Sequence, residues 1–225
     1  ETPFQGVGAR GVNNLASKLL LALLPPNAPF FRLAVDEYGL KSEGAPDELI
    51  TDVEDSLQKV ESTFMEEVSR GAYRTALHEA LKHLIVTGNA LLYVPNDGGI
   101  RVFHLDRFVV ERDPMGNVLN IATKESLAYS TLSEEMREVC GHHDQGTDEI
   151  VHLYTAVCRQ QQGWHVWQEI NGHVVPKSDG FYGLDKNPFI PLRFSRIDGE
   201  SYGRGYVEEY LGDLQSLESL TRAIV

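Results

Sequence analysis

A chain of 225 residues with 42% hydrophobic side chains is long enough to bury one or two cores. Its 33 acidic residues outnumber 20 lysines and arginines, a net charge of −13. Long-range forces of that sign push duplex DNA away, which argues against a repressor-like or nuclease-like grip and is compatible with a surface along which DNA slides or with a general acidic interaction module. Two cysteines, Cys140 and Cys158, have 17 residues between them; they make neither a disulfide framework nor a zinc site and fit a reducing compartment.

In chain order, Val12, Leu15, Ala16, Leu19, Leu20 and Leu23 mark an amphipathic helix over 11–24 that Pro25 and Pro26 terminate. The longest apolar run, Leu19 to Leu24, is well short of the ~18 residues that would cross a bilayer, so no membrane association is expected. Residues 29–35 read as extended and 38–45 as loop. From Pro46, the spacing of Leu49, Ile50, Val53, Leu57, Val60, Phe64 and Val68 predicts a helix of roughly six turns. Its other face is acidic, since nine acids and one base, Lys59, lie between Glu43 and Glu67; that face must meet water or a basic partner. A third helix is expected over 73–87, closed by Gly88.

After Gly88 the period changes from 3.6 to 2. Residues 90–94 and 100–105 read as a hairpin across Asn96-Asp97-Gly98-Gly99, and 108–111 with 118–122 as a second across Pro114-Met115-Gly116-Asn117. Thr131 and Glu134, in capping-box spacing, predict a short helix near 133–139. Residues 149–158, 164–170 and 173–175 then form a meander turning at Asn171-Gly172, in which Tyr154, Trp164 and Trp167 read as sheet packing. A last strand is expected over 189–197. The closing run from Tyr206 places Val207, Tyr210, Leu214, Leu217, Thr221 and Ile224 on one helical stripe, with Leu211 and Leu220 beside it and Glu208, Glu209, Asp213 and Glu218 opposite. Gly203 and Gly205, bracketing Arg204, are expected to turn the chain sharply through positive φ. Helices first, antiparallel strands second and one long closing helix make an α+β fold with segregated layers, divided at 1–89, 90–200 and 201–225. With no cap signal after Ile224, the chain is expected to be a fragment of a longer one.

Three patterns could carry chemistry. Gly199-Glu200-Ser201-Tyr202-Gly203 is a literal G-x-S-x-G, the nucleophile elbow of serine hydrolases, yet no histidine follows His173 to serve as base. Gly6-Val7-Gly8-Ala9-Arg10-Gly11 matches the dinucleotide fingerprint G-x-G-x-x-G, but only five residues precede it where a strand is required; the glycines read instead as bending the chain into the first helix. His142-His143-Asp144 has metal-ligand side chains and no second cluster at ligand spacing. No Walker A sequence is present. No catalytic residue, cofactor or metal is therefore assigned, and the hydrolase centred on Ser201 stands as the alternative from another class.

The opening run Gly6-Val7-Gly8-Ala9-Arg10-Gly11-Val12-Asn13-Asn14-Leu15-Ala16-Ser17-Lys18-Leu19-Leu20 and the closing run from Tyr202 to Val225 resemble the portal, or head-to-tail connector, proteins of short-tailed bacteriophages. The resemblance implies the wing and the start of the stem of a structural, non-enzymatic subunit. It also implies a closed homo-oligomeric ring of about twelve copies at one capsid vertex of the virion, assembled in the bacterial cytoplasm. Its partners would be the packaging terminase, the capsid, a tail adaptor and internal core proteins, with DNA passing through in packaging and ejection without sequence-specific binding. Interface candidates are Arg10, Asn13, Asn14 and Lys18 on the first helix, Arg193, Arg196 and Arg204 around the glycine corner, and Glu208 and Glu209. The basic members would meet acids of a neighbouring copy, either Glu48, Asp52 and Asp55 or Glu208 and Glu209.

Overall fold

The computed structural model describes residues 3–26, 28–35, 42, 46–141 and 149–224. The helices are α1 (Val7–Leu23), α2 (Asp47–Arg70), α3 (Tyr73–Thr87), α4 (Glu134–Cys140) and α5 (Tyr206–Ile224); the strands are β1 (Asn89–Tyr93), β2 (Arg101–Phe103), β3 (Phe108–Arg112), β4 (Val118–Ala128), β5 (Ile150–Gln160), β6 (Gly163–Ile170), β7 (His173–Val174), β8 (Gly180–Gly183) and β9 (Phe189–Arg193). The α+β class holds. Two sheets form, one of order β2-β1-β9 and one of order β3-β4-β5-β6-β7 with β8 also on β6. Every strand pairing in both is antiparallel.

Strand β1 explains the layering. It is the middle strand of the small sheet and is buried on both faces, so its side chains feed two cores in alternation. Leu91 points with Phe103 and Phe189 toward Phe108, Val110, Ile121, Val157, Trp164 and Val166 of the large sheet. Ala90 and Leu92 point the other way, onto Ala16 of α1 and Ala80, Leu81, Leu84 and Ile85 of α3. The order is therefore helices, small sheet, large sheet. At the far end of the large sheet, α4 lays Met136 and Val139 over a third cluster of Leu132, Val151, Leu153, Ile170 and Val175.

Most predicted elements are present, and the departures have local causes. Helix α1 starts at Val7, so Gly8 and Gly11 are helical residues and do not bend the chain. Gly8 faces α5, where an added Cβ would make an ordinary 3.7 Å contact with Leu214. Leu23, expected in the core, is exposed, and Leu24 takes its place. The short helix is capped by Ser133, whose hydroxyl accepts from the Met136 N–H at 3.4 Å, and not by Thr131. Asn171 and Gly172 both have positive φ, 52° and 79°, as a type I′ turn requires. Trp164 is core, and its indole donates to the Leu184 carbonyl. Tyr154 and Trp167 instead stand on the outer face of the large sheet, where Trp167 lies beside His165 with ring centroids 4.9 Å apart. The predicted last strand is shorter, ending at Arg193, and β8 has no counterpart in the predicted elements.

Helix α2 stands largely apart. Ile50 is its one buried described side chain, and Phe64 is held in an aromatic group with Phe30 and Phe31 of the extended 29–35 segment. The main chain of that segment donates from Leu33 to the Glu61 carboxylate. Glu48, Asp52, Glu54, Asp55, Glu66 and Glu67 are exposed, as the charge pattern required.

Candidate functional site

The corner that launches α5 is a crossing of three backbone segments. Gly88 ends α3 in the left-handed region at φ 77°, which a residue with a side chain rarely adopts. Its carbonyl accepts from the Phe194 N–H at 2.8 Å, and the Arg204 N–H donates to the Ser195 carbonyl at 3.0 Å. A Cβ on Gly205 would lie 2.5 Å from both the Gly88 nitrogen and the Val86 oxygen, and one on Gly203 would lie 2.8 Å from the Ser195 oxygen. Neither Gly203 nor Gly205 has positive φ. The expectation of a turn through positive φ is thus corrected: these two glycines permit contact between main chains, and the positive-φ glycines nearby are Gly88 and Gly199. Asn89 locks the crossing. Its side chain, 3% exposed, donates to the Gly203 carbonyl at 2.8 Å and to the Thr87 carbonyl at 2.9 Å while accepting from the Gly203 N–H at 2.7 Å. A buried amide with these partners is satisfied and directional.

Around this joint the arginines divide into two groups. Arg204 is tied within its own chain, to Glu200 at 3.3 Å and to Glu208 at 3.3 Å. Arg193 and Arg196 pair with no carboxylate among the described residues. Arg193 donates to the Glu200 carbonyl at 2.9 Å and Arg196 to the Met115 carbonyl at 2.8 Å. With them stands Arg112, which sequence patterning gave no reason to single out. It is half-buried and donates through all three nitrogens, to the carbonyls of Ser201, Gly116 and Pro191 at 3.1, 3.0 and 3.0 Å. Burial, then the repulsion of Arg193 and Arg196, pulls its pKa below the ordinary guanidinium value. The three side chains wrap the turn at Gly116, whose missing Cβ would lie 2.9 Å from Arg193 and 3.1 Å from Arg196.

The α1 candidates lie where helical spacing put them. Arg10, Asn13, Asn14 and Lys18 are all exposed, opposite Val12, Leu15, Ala16 and Leu19. Arg10, Asn14 and Lys18 line one shallow groove with Val7, Gly11 and Leu15. Glu209 is exposed beside Glu208 on the first turn of α5. Glu218, expected on the wet face of that helix, is half-buried and accepts from the Phe4 N–H at 2.7 Å.

The catalytic alternative finds no support in the geometry around Ser201. Its hydroxyl accepts from the Arg112 N–H at 3.3 Å, and no described histidine contacts it. A nucleophile elbow also needs a largely parallel sheet, and both sheets here are antiparallel. Among the described residues no group of three or more His, Cys, Asp and Glu is disposed to hold a metal, and no helix is long and apolar enough to cross a membrane. His142-His143-Asp144 lies outside the described residues. Burial pushes the Cys140 and Cys158 thiols upward, which disfavours the reactive thiolate.

The corner is thus a hydrogen-bonded backbone crossing from which α5 departs, with charged side chains arrayed around it. The chain is a member of the bacteriophage head to tail connecting protein family, whose model matches residues 1–225. It is 44% identical to the portal protein of Enterobacteria phage T3 and 42% identical to that of Escherichia phage T7, each over 100% of this chain. To the portal protein of Enterobacteria phage SP6 it is 32% identical over 98% of the chain. It spans 43–44% of the length of these relatives.

Proposed function

We propose that the protein is a portal subunit that closes into a homo-oligomeric ring of about twelve copies at one capsid vertex. The ring would fix the hole through which the genome is packaged and later ejected, and would hold the tail. The described helices and sheets form the wing, and α5 begins the stem. The observation that carries the reading is the full-chain match to the connector family. The bare apolar side of α5 supports it: Tyr210, Leu211, Leu217 and Leu220 are all exposed, and such a stripe asks for a neighbour.

Terminase, capsid, tail adaptor and internal core proteins are the partners this role requires, in a virion assembled in the bacterial cytoplasm. DNA passes without sequence-specific contacts, as the net charge of −13 favours. The role is mechanical and no bond is made or broken. Arg10, Asn13, Asn14, Lys18, Arg193, Arg196, Arg204, Glu208 and Glu209 remain the interface candidates. The internal pairing of Arg204 with Glu208 makes those two the least available for a neighbour.

Electron microscopy and sedimentation of the full-length protein test this. A ring of about twelve subunits with a central hole, inert toward fluorophosphonate, is the expected result. A monomer labelled at Ser201 by the same probe would replace it with the hydrolase.

A further inference from the structure

We propose that Arg112, Arg193 and Arg196 form a prebuilt carboxylate receptor whose occupant is the acidic face of α2, at Glu48, Asp52 and Asp55, on a second copy of the chain. The inference rests on the ring reading and adds to it the contact that sets the order of neighbours.

Three guanidinium groups around one turn repel one another, and clustering them costs stability unless an anion is shared among them. Among the described residues, no carboxylate lies within ion-pairing distance of any of the three; their acceptors are main-chain carbonyls. Arg112 feels two charges, Arg193 and Arg196, and both repel it. Glu200 and Glu208, which flank the corner, are both committed to Arg204.

The arrangement is fixed in advance. Arg112 donates to three carbonyls and acts as a half-buried strut. Arg193 and Arg196 each make one hydrogen bond and keep the rest of their five N–H donors free. Forks held by the backbone lose little entropy on binding a carboxylate, which is why guanidinium suits this task better than ammonium.

The same chain carries the complementary surface. Glu48, Asp52 and Asp55 follow one another at helical steps of four and three, on one side of α2, where neighbours stand roughly 5–6 Å apart. All three are exposed, and no ion pair joins them to a cation among the described residues. A basic patch and a distinct acidic patch on one subunit give a head-to-tail contact, and a head-to-tail contact closes a ring when its rotation allows. Duplex DNA is the weaker occupant, because a chain of net charge −13 repels a long polyanion far more than it repels one helix face.

The test uses the full-length protein and reads rings by sedimentation at roughly 150 mM salt, the ionic strength at which exposed pairs are partly screened. Arg193→Glu/Arg196→Glu is expected to lower the ring fraction about tenfold or more, and adding Asp52→Arg/Asp55→Arg in the same chain is expected to restore it. Arg193→Gln/Arg196→Gln, a gentler change, is expected to lower the salt concentration at which rings come apart. Rings that withstand the Glu reversal, or a Gln variant with unchanged salt sensitivity, overturn the proposal. So does a Glu variant that keeps its far-UV circular dichroism yet is not rescued. Intact rings that have lost affinity for duplex DNA would reassign the arginines to phosphate. Absence of rings from the wild-type protein counts instead against the ring reading itself.

Discussion

Asn89 shows how much of the corner depends on a single side chain. Asn89→Ala removes both groups that bind Gly203 and leaves the Gly203 N–H, in a fully enclosed position, without its partner. Each orphaned buried group costs about 1–3 kcal/mol, so local opening of the corner in the full-length protein is expected to become easier by about 3 kcal/mol. Hydrogen exchange at the β1 and β9 amides reads this directly. Gly205→Ala acts by overlap: its methyl would sit 2.5 Å from main-chain atoms of two residues, and neither can retreat without breaking the crossing. It is expected to destabilise by at least about 3 kcal/mol, and unchanged exchange would show that the backbone has room to give. Neither effect was legible in the sequence. The glycines were visible as a corner, but which segments they meet depends on residues some 115 positions away.

His83 gives the residue scale its pH dependence. Its ring meets that of His104 edge-on, with centroids 4.7 Å apart, and lies 3.6 Å from the Glu79 carboxylate, with Asp106 beyond His104. Burial and the His104 charge lower its pKa; Glu79 and Asp106 oppose them in part. A histidine whose folded pKa is depressed is protonated first in the unfolded chain. Full stability therefore holds above about pH 6.5 and is lost as pH falls from there through the lower folded value. His83→Gln is expected to flatten the fall in melting temperature between about pH 7 and 5. An equal slope in the variant would assign the acid limb to other groups.

Among the elements, those with a strong period were readable. α3 occupies the predicted 73–87, and both hairpins hold the predicted turns. β8 was not readable, because four residues with two glycines carry no alternation. The closing helix is the informative error. Its predicted stripe assumed one straight helix, but Tyr210 has non-helical angles, φ −108° and ψ 15°. On either side of that kink the face turned to the protein carries Val207, then Leu214, Glu218 and Thr221. Tyr210, Leu217 and Ile224 are left outside. If those residues and Leu220 meet a neighbouring subunit, Leu220→Asp should lower the ring fraction of the full-length protein severalfold while changing fold stability by no more than about 0.5 kcal/mol, the usual range for a surface site. Measuring ring fraction and β1 exchange on the same sample separates the two; a loss of both would place Leu220 in the subunit's own core.

For the molecule as a whole, charge acts in two opposed ways, and salt separates them. An excess of 13 acidic charges spread over one subunit repels itself, so screening that repulsion favours the compact chain. The inferred contact between copies works in reverse, since it joins arginines to carboxylates and weakens as the Debye length falls from about 14 Å at 50 mM to about 4–5 Å at 500 mM. Raising salt across that range should therefore increase the melting temperature of dissociated subunits by a few degrees, about 1 kcal/mol for a domain of this size, while the ring fraction declines. Burial of the α5 leucines is not weakened by screening. Scanning calorimetry and sedimentation on one salt series distinguish the cases. Rings that tighten as salt rises would show that apolar burial holds the assembly and that the arginine cluster has no acidic neighbour.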